Sequence, residues 1–76
     1  MAAIAVAGCS QSAGEKAEAE YEAAKNSGAS QAQLCRSAKA VAQAYSRAGD
    51  AEAAAQWQDY AQIDCSLAYF TEGYRY

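Results

Sequence analysis

Apolar and polar positions along this chain repeat with a helical period, and glycines divide that period into three segments. From about Ala13 to Lys25, Ala17, Tyr21 and Ala24 recur at steps of 4 and 3, which aligns them on one side of an α-helix. Asn26-Ser27-Gly28 reads as a stop, with Gly28 able to take a left-handed cap. Ser30 opens a second segment through the capping-box pattern Ser30-x-x-Gln33. This segment extends to about Arg47 and sets Leu34, Ala38, Val41, Ala42 and Tyr45 on one face. Ala48-Gly49-Asp50 interrupts it, and Asp50 is a favoured N-cap for a third helix reaching about Tyr69. The third helix has two stripes. One is Ala54, Trp57, Ala61, Cys65 and Ala68; the other is Tyr60, Ile63, Leu67 and Phe70.

A loop this short sets the second and third helices antiparallel, so facing residues have numbers that sum to about 99. Tyr45 then faces Ala54, Ala42 faces Trp57, Ala38 faces Ala61, and Cys35 faces Cys65. The expected fold is all-α: a three-helix array in which a shorter helix precedes an antiparallel hairpin. Two readings of Cys35 and Cys65 stand at this point, a disulfide across the seam or two buried thiols. The stripe of Tyr60, Ile63, Leu67 and Phe70 also has two. It covers the first helix, or it docks a partner.

Composition narrows the function. Alanine is the most frequent residue and proline is absent, which favours helix. A chain of 76 residues buries a marginal core and usually needs a staple. With no histidine and three cysteines, a zinc site lacks ligands, and no metal or other cofactor is expected. The net charge of −3 and the lack of a basic block disfavour nucleic acid. Glu15, Glu18, Glu20 and Glu22 read as a solvated face, and Asp59 and Asp64 do not share a face well. No set of residues resembles a catalytic constellation, so the chain is not expected to be an enzyme.

Residues 2–8 are small or aliphatic, and charge first appears at Glu15. Val6-Ala7-Gly8-Cys9 resembles the lipobox of bacterial lipoproteins: an aliphatic residue, a small residue, Gly or Ala, then Cys. The resemblance implies that the Cys9 thiol takes a diacylglyceryl group. It also implies that a peptidase cleaves between Gly8 and Cys9, and that two or three acyl chains then form a lasting anchor. Ser10 in the next position implies sorting to the outer membrane of a Gram-negative cell, on its periplasmic face. No Lys or Arg precedes Cys9, which departs from a complete signal; the true start is expected upstream, with Met1 inside the apolar region. With Cys9 lipidated, export favours pairing of Cys35 with Cys65.

The hairpin also resembles one tetratricopeptide repeat. Val41, Tyr45, Gly49, Asp50, Ala54 and Ala61 match that family's spacing. Ala38, Ala42 and Gln58 depart from it, Trp57 comes one place early, and no proline closes the repeat. An ordinary Ala-rich three-helix bundle has the same helix map. The expected organisation is a signal-peptide remnant over 1–8, a tether with the lipidated cysteine over 9–14, a helical domain over 15–70 and a flexible tail over 71–76. The resulting expectation is a lipoprotein of the cell envelope held to the membrane by its lipid, binding an unidentified protein partner through Tyr60, Ile63, Leu67 and Phe70. A second copy of the chain is a further candidate partner. The alternatives are a soluble periplasmic or secreted binder and a cytosolic repeat-like adaptor.

Overall fold

A computed structural model describes residues 12–73. Among them are three α-helices, α1 (Ala13–Asn26), α2 (Gln31–Arg47) and α3 (Ala51–Glu72), and no strand. The fold is an all-α three-helix array. Helices α2 and α3 pair along their length, and α1 packs against α2. The lipobox residues, including Gly8 and Cys9, lie outside the described residues, as do Tyr74, Arg75 and Tyr76.

Local chemistry sets the boundaries. The turn between α2 and α3 is compressed into a few residues. Gly49 takes a φ of 82°, its N–H donates to the Ser46 carbonyl, and the Asp50 N–H donates back to the Tyr45 carbonyl at 3.0 Å. That pair of bonds satisfies two of the last carbonyls of α2. The Asp50 side chain in turn accepts from the Ala53 N–H and starts α3. The α1–α2 junction repeats the device around Gly28, after which Ser30 accepts from the Gln33 N–H.

The first helix starts at Ala13, as its pattern predicts, inside the segment also expected as a tether, and the tail boundary lies later than expected; each has a physical cause. The tether expected over 9–14 gives way to structure by Ser12. The Ser12 hydroxyl accepts from the Glu15 N–H, and the Glu15 carboxylate accepts from the Ser12 N–H, which completes a capping box. Gly14, expected in the tether, is buried in the first turn of α1. At the other end Thr71 and Glu72, expected in the tail, are helical. Gly73, at a φ of 68°, ends α3.

The seam runs as the register argument requires. Ala54, Trp57, Ala61, Cys65 and Ala68 are the buried residues of α3, the whole of the first stripe. All five expected residues of α2 are buried, and Cys35 and Ala44 join them. Tyr21, Leu34, Val41, Tyr45 and Trp57 are the large members of the main core. Alanines at 38, 42, 54 and 61 fill the space between them and allow the helices to come close. Cys35 and Cys65 form a disulfide, with Cα atoms 4.6 Å apart. It lies buried among Ala32 and Ala68 at the end of the hairpin remote from Gly49.

Two stability experiments follow from this packing. The bond spans 30 residues of sequence, and the chain-entropy argument gives it about 3.5 kcal/mol. A urea titration with and without reductant should show a loss of that order; an unchanged midpoint would contradict the role given to the bond. At Gly14 a Cβ would overlap the Tyr45 ring. Gly14→Val should therefore destabilise by about 1–3 kcal/mol, through loss of α1 packing. A variant as stable as the parent would count against this close approach.

Candidate partner-docking face

The face begins with how α1 is held, because α1 could have covered it. Tyr21 projects from α1 to the Trp57 ring, edge to face with centroids 5.0 Å apart. Its hydroxyl donates to Asp64 Oδ2 at 2.6 Å. Tyr45 reaches the other way, donating from α2 to Glu18 Oε1 on α1 at 2.6 Å. Glu18 is thus half-buried and bonded, not part of a fully solvated acidic face, and Asp64 has a structural partner. These bonds place α1 on α2, with Tyr21 reaching α3 beside Trp57.

The second stripe is left open. Tyr60 is 53% exposed, Ile63 59%, Leu67 43% and Phe70 80%. Of the stripe, only Tyr60 borders α1, across a recess with Glu18, Tyr21 and Glu22; because α1 packs along α2, it leaves Ile63, Leu67 and Phe70 uncovered. Tyr60 is the one stripe residue tied to the core, its ring 5.1 Å from that of Trp57. Ile63, Leu67 and Phe70 line a shallow depression with Asp59, Gln62 and Ser66. Tyr69, also exposed, stacks edge-on against Phe70 at 5.2 Å. Scattered exposed apolar residues are ordinary, but a contiguous stripe over three helical turns is the form an interaction surface takes.

A second concavity lies between α2 and α3, floored by Ala42, Ala61 and Cys65 and walled by Lys39, Arg47 and Gln58. It holds no carboxylate among its lining residues. Among the described residues no group of three acids or cysteines is placed to hold a metal ion, and no helix is long and apolar enough to cross a membrane.

The predicted site residues thus fall into three groups. Cys35 and Cys65 meet in the core, the four stripe residues share one exposed face, and Cys9 lies outside the described residues. Sequence reasoning missed Glu72. Its two carboxylate oxygens accept from the Gln31 and Ala32 N–H groups, each at 3.0 Å. This caps α2 with a charge that suits the positive end of its dipole. No local pattern marks a cap supplied from 40 residues away. The Ser12-x-x-Glu15 box, by contrast, is visible in the sequence.

No family model, no curated protein and no solved structure matches the chain.

The tyrosine bonds predict a pH response. The bond to Glu18, with burial, holds the Tyr45 hydroxyl neutral and pushes its pKa up to about 12. Burial, with the Asp64 bond, raises that of Tyr21 as well. A folded-state pKa raised above the unfolded one means that the native state holds its proton longer. This stability is fully present below the unfolded tyrosine value near pH 10 and is lost as pH climbs toward 12. Urea midpoints should fall across that window, and Tyr45→Phe should flatten part of the fall. Equal slopes in the two proteins would contradict the assignment.

Proposed function

We propose that this chain is a small membrane-anchored bacterial lipoprotein whose helical domain is a protein-interaction module of the cell envelope. The observation that carries the reading is the Cys35–Cys65 disulfide. It suits an oxidising compartment and accounts for two of the three cysteines. The third, Cys9, directly follows Val6-Ala7-Gly8, the order that resembles a lipobox. Cys9 carries the lipid, and Gly8 and Cys9 flank the cleaved bond.

The helical domain suits such an anchor. Its first capping residue, Ser12, comes three positions after Cys9, so the folded part starts close to the lipid along the chain. Ser10 favours the outer membrane of a Gram-negative cell, on the periplasmic face. The hairpin is a single tetratricopeptide-like unit, supported by the burial of Val41, Tyr45, Ala54 and Ala61. The exposed stripe of Tyr60, Ile63, Leu67 and Phe70 on α3 is where it binds a protein partner.

Intact mass spectrometry of the protein extracted from its host's membranes tests the anchor. The chain should begin at Cys9 and carry the mass of a diacylglyceryl group, and Cys9→Ser should leave the detergent phase on partitioning. A free Cys9 thiol within an unprocessed chain, or a Cys9→Ser variant still in the detergent phase, would overturn the proposal.

A further inference from the structure

The chemistry of the partner can be read from the charges around the stripe, given the proposed reading of that stripe as a docking face. Helix α3 carries Glu52, Asp59, Asp64 and Glu72 and contains no Lys or Arg. Two of these acids have internal partners: Asp64 accepts from Tyr21, and Glu72 caps α2. The other two, Glu52 and Asp59, are exposed. At 100° per residue both fall within roughly 60° of the centre of the stripe and on the same side of it, Glu52 about two turns before Tyr60. Asp59 lines the depression formed by Ile63, Leu67 and Phe70. Across the stripe, Glu18 and Glu22 of α1, together with Lys25, border the recess beside Tyr60. The apolar surface is therefore bordered by Asp59 along one side and, at its Tyr60 end, by Glu18 and Glu22 with Lys25 on the other, a rim with more acids than bases.

From this arrangement we infer that the α3 stripe docks an amphipathic helix of another protein whose apolar face is bordered by Lys or Arg. Apolar residues at positions 60, 63, 67 and 70 offer the spacing that a helix laid alongside fills with its own i, i+3 and i+7 side chains. The carboxylates set sign and register, since like charges brought together across an interface are costly. That cost disfavours the other occupants. A second copy placed α3 to α3 brings the two Asp59 sides together, and α3 itself supplies no base; Lys25 of α1 borders only the recess beside Tyr60. An anionic lipid surface meets the same carboxylates, and juxtamembrane attraction requires basic residues instead.

The test uses the full chain with Cys9→Ser and a display library of helical peptides. Their apolar i, i+3 and i+7 positions are fixed and the flanking positions are randomised. Selected flanks should be enriched in Lys and Arg. Titration of the chosen peptides, followed by fluorescence of Trp57 beside Tyr60, should show binding that Leu67→Asp abolishes. Glu52→Lys with Asp59→Lys should weaken binding by roughly tenfold or more and turn the preference toward acidic flanks.

Flanks without charge preference, on peptides still lost with Leu67→Asp, overturn the basic partner while leaving the stripe as a docking face. Binding that survives Leu67→Asp, or no selected peptide at all, overturns both. Two further controls are decisive against the inference. One is a dimer seen by sedimentation and abolished by Leu67→Asp, which assigns the face to a second copy. The other is capture by phosphatidylglycerol vesicles that depends on Leu67, which assigns it to lipid.

Discussion

The covalent bond between Cys35 and Cys65 closes the open end of the α2–α3 hairpin, and the rest of the structure depends on that closure. Two helices joined at one end by a tight turn can separate at the other. Here the turn at Gly49 fixes one end. At the other, the disulfide joins the helices and Glu72 of α3 caps the first residues of α2. Half of the seam between these clamps is alanine, at positions 38, 42, 54 and 61. Alanine allows close approach but contributes little apolar area per residue. A seam of this kind needs its ends held, and small domains commonly rely on such a staple.

Helix α1 is secured in a different way. It has no covalent link to the hairpin other than the short connection through Gly28, and its apolar side is one tyrosine between alanines. Two tyrosine hydroxyls bonded to carboxylates, one in each direction, and the glycine that admits the Tyr45 ring compensate for that small surface. Stability is thus layered: the hairpin is the robust unit and α1 the more easily released one. The same arrangement determines the surface. Because α1 lies on α2, the outer side of α3 keeps Ile63, Leu67 and Phe70 in solvent.

The sequence made the helices and their seam legible because both depend on local or periodic rules. Gly28, Gly49 and Asp50 mark the turns, and the 3.6-residue period picks out Ala54, Trp57, Ala61, Cys65 and Ala68 together. The hairpin register then placed Cys35 opposite Cys65 by counting alone. Three features were not read, for one reason. Glu72 capping α2 and the bonds from Tyr21 and Tyr45 to carboxylates on other helices join residues distant in sequence; they depend on how helices rotate about their axes, which periodicity does not set. The start of α1 was legible at about Ala13, where the helix begins, although Gly14 also suggested a tether over the same residues. A glycine at the end of a polar stretch with Ser10 and Ser12 suggests a tether, whereas this one is small so that a tyrosine ring can lie on it. The open stripe was visible as a pattern; that α1 leaves it uncovered required the packing.

The most direct test is the chemical state of the sulfurs in native, unreduced protein. Alkylation followed by peptide mass mapping should leave Cys35 and Cys65 unmodified and recover their peptides as one cross-linked species that separates only on reduction. Alkyl groups on both residues in folded material would show that the hairpin stands without the bond and would contradict the account at its base.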